Sequence, residues 1–225
     1  MNDPGPLPVP DLTGPRVRLR ALAARDVDAL YALHSDPRVM RYWSFPAWSE
    51  RGQATGYIER IAREREIMEF YPWAATLPDG DRLVGTCSLS GIRREPARGV
   101  IGYALVPDLW GRGIAGDMLQ LALGFAFDTL GLDCIEADID LLTFASCRLA
   151  ERTGFRCAGC RREYRRSGGA RDIALYGLLR PDWSPSGPAP CAGAGCAGAS
   201  ERDARDPAPH STASRSDTPA PGVRD

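Results

Sequence analysis

Apolar residues alternate with arginine over Val17-Leu19, after Pro15, which predicts a short strand. Asp26 can cap a helix in which Val27, Leu30, Tyr31 and Leu33 share one face, ending near Pro37. From Ser49 to about Phe70 the pattern is again helical, with Tyr57, Ile58, Ile61 and Ile67 as its apolar stripe. Trp73-Leu77 and Leu83-Ile92 read as strands around the turn Pro78-Asp79-Gly80-Asp81, with Trp73 in the core. Val100-Val106 is mostly apolar, as suits a central strand. A glycine-rich turn leads into a helix from Ile114 to Leu130, which Gly131 terminates. Cys134-Ile139 is the next strand and Phe144-Thr153 a short helix closed by Gly154. Phe155-Cys160 and Arg171-Leu179 form a final hairpin through Ser167-Gly168-Gly169. The expected order is β-α-α-β-β-β-α-β-α-β-β, one α/β domain without internal repeats.

The pattern fails at both ends. From Ser184 to Asp225 the chain is Pro, Gly, Ala, Ser and scattered charge, with one Val and no Leu, Ile, Phe, Tyr or Trp. Such a segment cannot bury enough apolar surface to offset its ordering entropy and is expected to be a disordered tail. Residues 1 to about 13 are likewise expected to be flexible, leaving a folded domain over 14–183.

Composition then narrows the chemistry. The 225 residues are 44% hydrophobic and 25% charged, with a formal net charge of -1, so no global field draws the chain to nucleic acid or anionic lipid. All 28 basic residues are arginine, for which codon bias in a GC-rich gene is the plain explanation. Without lysine there is no Schiff-base former and no P-loop phosphate ligand. Seven scattered cysteines suggest free thiols in a reducing compartment, and the N-terminal MNDPGPLPVP has no signal-peptide pattern, so a cytoplasmic location is expected. Cys157-x-x-Cys160 and Cys191-x4-Cys196 resemble zinc spacing, but the second pair lies in the tail and no metal is expected. Arg161, Arg162, Arg165 and Arg166 make a basic stretch that Glu163 interrupts, read as a solvated turn or a site for an acidic group.

The turn Trp110-Gly111-Arg112-Gly113-Ile114-Ala115 carries the sharpest signal. A helix start presents unpaired N–H groups and partial positive charge, glycines let a ligand approach the backbone, and Arg112 adds a cation. This suits a pyrophosphate; a plain strand-to-helix turn is the simpler alternative. Gly111-x-Gly113-x-x-Gly116 also satisfies a dinucleotide fingerprint, with Glu136 twenty residues further on, which would suit an oxidoreductase. Against that, the first glycine follows Pro107 by four residues, the preceding strands look antiparallel, and only one βαβ unit is available.

The run from Ile101-Gly102-Tyr103 through Pro107 to Trp110-Gly111-Arg112-Gly113-Ile114-Ala115 resembles the signature of the GNAT acetyltransferases, and most the branch of ribosomal-protein N-terminal acetyltransferases of RimJ/RimL type. Trp110 stands where the wider superfamily has Gln or Arg, as is usual in that branch. The likeness continues at Thr143-Phe144-Ala145-Ser146, Glu151-Arg152-Thr153-Gly154-Phe155, Val39-Met40-Arg41-Tyr42-Trp43 and Pro181-Asp182-Trp183. It implies a mixed, mostly antiparallel sheet with flanking helices and a V-shaped splay between Val100-Val106 and Cys134-Ile139. Acetyl-CoA would lie in that splay as co-substrate. Its arm would bond the backbone of Ala104, Leu105 and Val106, and its pyrophosphate the amides of Gly111, Arg112, Gly113, Ile114, Ala115 and Gly116. An N–H near Ala104-Leu105 would hold the oxyanion as an amine, either a protein N-terminus or a small molecule, attacks directly.

Four positions depart from the family pattern. Val100 replaces a general-base glutamate, Ala150 a thiolate-protonating tyrosine, Thr143 an asparagine and Gly116 a Ser or Thr. A module that binds acyl-CoA without catalysis is therefore the alternative function. Replacement groups can be named. Glu136, Asp138 and Asp140 alternate along one strand and so share a face, where mutual repulsion suits a general base and solvation is the simpler reading. Ser146 matches the family serine and could reach the leaving sulfur; Glu95 and Tyr103 are weaker candidates. Tyr42, Trp43, Phe45 and Trp48 would wall the acceptor pocket or pack a helix junction. No nucleic acid or membrane partner is expected, and a homodimer is compatible with this reading.

Overall fold

The computed structural model describes residues 8–64, 69–165 and 169–185. Past residue 185 the expected disordered tail lies outside the described residues, as do Ile67 and most of the Ser167-Gly168-Gly169 turn. The strands are β1 (Leu12–Thr13), β2 (Arg18–Ala21), β3 (Tyr71–Thr76), β4 (Leu83–Arg94), β5 (Ala97–Leu105), β6 (Cys134–Asp140), β7 (Arg156–Arg165) and β8 (Gly169–Leu179). The helices are α1 (Val27–Ser35), α2 (Pro37–Met40), α3 (Arg51–Glu64), α4 (Ile114–Gly124) and α5 (Phe144–Arg152). The strands form one sheet in the order β1-β2-β3-β4-β5-β6-β8-β7. Every neighbouring pair is antiparallel except β5 and β6.

Strand alternation sends side chains to two cores. Val17, Leu19, Tyr71, Trp73, Leu89, Ile101, Leu105, Ile135 and Ile139 pack with α4 and α5 on one face. Ala74, Leu83 and Ala104 meet Val27, Leu30, Leu33 and Ala54 of α1 and α3 on the other. Trp73 is fully buried, and its indole N–H donates to Pro10 O at 2.9 Å. Among the described residues no helix is long and apolar enough to cross a membrane.

The structure corrects three expectations. Residues up to 13 are not all without structure: Leu12–Thr13 pair with Leu19 and Arg18, because the turn at Gly14 folds the chain back onto β2. Asp26 precedes α1 but does not cap it with its side chain. Instead its carboxylate takes two bonds from Arg20, at 2.7 and 2.8 Å, and one from the Ala23 N–H at 2.9 Å. The helix expected to run to Leu130 widens into a π turn over Phe125–Thr129, where the Leu130 N–H reaches Phe125 O. That extra residue buries Phe125, Ala126 and Phe127 in succession, with Phe125 edge-on to Tyr71 and Trp73 and Phe127 against Trp183.

His34 of α1 is 4% exposed and lies amid Trp48 (centroids 4.5 Å apart), Trp43, Phe45 and Tyr57. Its Nδ1–H donates to Leu30 O at 3.2 Å. Burial pushes its pKa below the usual imidazole value, so the ring is held neutral.

Two stability predictions follow from these contacts. Arg20→Leu strands Asp26, each side chain being 3% exposed, and should cost about 3–5 kcal/mol in urea unfolding with an unchanged denaturant slope. The unfolded chain takes up a proton at His34 near pH 6.5, above the folded value, so this stabilisation is complete above about pH 6.5 and is lost as pH falls through the lower folded pKa. The melting temperature should therefore decline from pH 7 to 5, and His34→Phe should flatten that decline.

Candidate active site

β5 and β6 pair only at Arg98↔Cys134, Gly99↔Ile135 and Val100↔Glu136. Beyond Val100, β5 continues bonded to β4 and β6 continues bonded to β8, so a wedge opens between Ile101–Leu105 and Ala137–Asp140. This is the splay that the resemblance implied.

The β4–β5 register decides which backbone groups face the wedge. The Val106 N–H bonds Val84 O at 2.9 Å and its carbonyl accepts the Leu109 N–H at 3.1 Å, while Ala104 stands opposite Thr86 with its polar groups toward β4. This corrects the expectation that Ala104 and Val106 offer backbone to a ligand. By alternation Tyr103 and Leu105 turn theirs the other way, as does Ala97, whose carbonyl accepts from the Asp133 N–H. The Leu105 carbonyl accepts the Trp110 indole N–H at 2.8 Å, which leaves the Leu105 amide, like that of Tyr103, as a donor on this wall.

Past a short turn of 3-10 helix at Pro107–Leu109, Gly111 and Gly113 take φ of 73° and 78°, a region that disfavours residues with a Cβ. Gly111, Arg112 and Gly113 are exposed, and a Cβ on Gly111 would meet no atom within 4 Å. The Asp117 N–H, bonded to Gly113 O at 3.2 Å, is the first helical donor, so the amides of Ile114, Ala115 and Gly116 before it have no acceptor within the helix. An open cradle of amides at a helix start fits a diphosphate.

Arg16, from the β1–β2 turn, was not legible as a site residue. Its Nε and Nη2 bond Asp117 at 2.7 and 2.8 Å, and a Cβ on Gly113 would lie 2.6 Å from its Nη1. It offsets the one carboxylate in the first turn of α4.

On the opposite wall, α5 begins beside the wedge. Ser146 Oγ lies 2.6 Å from the Tyr103 hydroxyl, joining β5 to α5 above the point where β5 and β6 part. Burial raises the Tyr103 pKa to about 12 against the opposing effect of its bond to Ser146.

Glu136, Asp138 and Asp140 share the face away from α4, since Ile135, Ala137 and Ile139 fill the core. Each meets a different arginine. Glu136 bonds Arg98 at 3.2 Å, Asp138 bonds Arg161 at 2.9 Å, and Arg171 approaches Asp140 at 3.8 Å. Asp140 is buried and also accepts from the Leu142 N–H at 2.9 Å. Arg161 is thus spent on Asp138 and Glu163. Trp43, Phe45 and Trp48 are half-buried around His34, whereas Tyr42 lies under Arg41 and Arg171, toward the β6–β8 side.

The topology leaves no room for a doubly wound dinucleotide domain, since the described sheet has a single parallel pair. Comparison with known proteins agrees. Residues 16–156 match the model of the acetyltransferase (GNAT) domain. An uncharacterized N-acetyltransferase, p20, of Bacillus licheniformis is 28% identical over 75% of this chain and 96% of its own length. Mycobacterium smegmatis RimJ in complex with CoA-disulfide aligns with a TM-score of 0.67 at 22% identity, covering 76% of this chain and 88% of that one. Spermidine N-acetyltransferase from Vibrio cholerae, in complex with CoA and spermine, aligns at 0.66 and 20% identity, covering 73% and 96%. An open wedge ending in an amide cradle, together with a family match over most of the folded region, means that this chain belongs to the GNAT acetyltransferases and is an N-acetyltransferase.

Proposed function

We propose that the chain transfers acetyl from acetyl-CoA to a primary amine by direct attack, as enzymes of RimJ/RimL type do. The observation that carries this reading is the wedge itself, with a backbone donor on one wall and a hydroxyl on the other. Tyr103 and Leu105 offer backbone groups to an extended arm, in place of Ala104 and Val106. The amides of Gly111 through Gly116, with Arg112, receive the diphosphate. The Leu105 N–H stabilises the oxyanion, and Ser146 meets the sulfur that departs. A CoA-bound neighbour that is a spermidine N-acetyltransferase supports a CoA thioester as donor and an amine as acceptor. Tyr42, reaching toward the β8 side, and the half-buried Trp43, Phe45 and Trp48 border the acceptor's approach.

The base that takes the amine's proton is Asp138 or Glu136, directly or through water. Both keep part of their surface in solvent, unlike Asp140, so a proton can leave from them. Val100 and Ala150 support the second reading, a module that binds acyl-CoA without turning it over.

A panel of spermidine, simple diamines and peptides with free N-termini, followed by thiol release and product mass, tests the proposal. Acetylated product with stoichiometric thiol is expected; CoA binding without thiol release would favour the second reading. Asp138→Asn should slow turnover at neutral pH at least about tenfold with CoA affinity unchanged, and an unaltered pH–rate profile would remove Asp138 from the mechanism. Gly113→Ala, which forces a Cβ into a left-handed conformation and against Arg16, should weaken CoA about tenfold in a thermal-shift titration.

A further inference from the structure

We infer that Tyr103 is a positioning residue for acetyl transfer, its hydroxyl donating to Ser146 so that the serine proton is turned toward the wedge. The inference rests on the acetyl-transfer reading above and adds a residue to it.

Two hydroxyls 2.6 Å apart share one hydrogen bond, so one of them must be the donor. Among the described residues, Ser146 is the one hydrogen-bond partner of the Tyr103 hydroxyl. Either hydroxyl can be the donor, since both residues are half-buried at an open wedge, but a serine whose proton points to a departing sulfur must accept from Tyr103. With Tyr103 as donor the Ser146 O–H is free for a group inside the wedge. The phenol holds its proton throughout the neutral range, since burial lifts its pKa to about 12. It therefore always has a proton to give in that range.

The site makes this useful. β5 and β6 have already separated at the level of Tyr103, so no backbone ladder fixes α5 against β5 there. The hydroxyl pair supplies that tie at the place where a leaving sulfur would need a proton. In the transfer step the amine nitrogen bonds the acetyl carbon and gives one proton to the base. The carbon–sulfur bond breaks, and the sulfur keeps its electron pair and takes the Ser146 proton. Ser146 regains a proton from solvent, to which the base passes its own. Tyr103 loses nothing; it orients. The position where many relatives carry a tyrosine on α5 is Ala150 here, which is 2% exposed and packed in the core.

The test uses the full chain with acetyl-CoA and an amine that the wild type acetylates. Tyr103→Phe should lower kcat about tenfold while KM for acetyl-CoA, CoA affinity by calorimetry and the melting temperature stay nearly unchanged. Ser146→Ala should lower kcat at least as much, and Tyr103→Phe in that background should add no further loss. An unchanged kcat in Tyr103→Phe would overturn the inference. So would a loss that multiplies with that of Ser146→Ala, or one accompanied by weakened CoA binding or a lowered melting temperature. A wild type that binds CoA but acetylates no amine sinks the underlying reading instead, and that failure is visible before any variant is made.

Discussion

The site depends on the place where two parallel strands stop bonding. β5 and β6 share three register pairs and then diverge, each kept in place by its other neighbour. A strand edge left open inside a sheet is normally a liability, because its amides and carbonyls lack partners. Here the opening is framed rather than covered. Trp110 satisfies the Leu105 carbonyl, the Tyr103–Ser146 bond ties the two walls, and the glycine turn lies at the wide end. What remains open is a narrow row of backbone groups suited to an extended, amide-bearing chain.

Charge around the wedge is balanced locally. Glu136, Asp138 and Asp117 each face an arginine, the one at Asp138 shared with Glu163, and Arg171 stands near Asp140. The pairing of Asp117 with Arg16 bears most on the donor, since an unpaired carboxylate in the first turn of α4 would oppose a phosphate at the same helix start. On the acceptor side the pairs prevent a bare acidic patch while leaving Asp138 and Glu136 partly in water.

Much of this could be read in the sequence, and the limits have physical causes. Period and punctuation located the principal strands and helices, because each carries its own hydrophobic pattern and its own terminators. The glycine turn was legible for the same reason: its chemistry lies within six consecutive residues. Alternation correctly put Glu136, Asp138 and Asp140 on one face but could not show their arginines, which come from other strands. Arg16 and Asp117 are 101 residues apart, and Tyr103 and Ser146 are 43 apart, so neither contact leaves a local trace. The π turn in the helix after Gly124 shifts the pattern by a single residue, less than periodicity resolves. The direction of the Ala104 and Val106 amides depends on register with β4, which a single strand's sequence does not encode.

The exclusive use of arginine acquires a meaning beside an activated thioester. A guanidinium retains its proton at any physiological pH and so has no lone pair with which to attack an acyl carbon. The cations that hold Asp26, Asp117, Glu136 and Asp138 are thus inert toward the donor the protein handles. Lysines in those places would be nucleophiles, and their acylation would cancel the charge that each pair needs. With none in the chain, the scaffold cannot erode its own ion pairs through side-chain self-modification, however long it stays charged with acetyl donor.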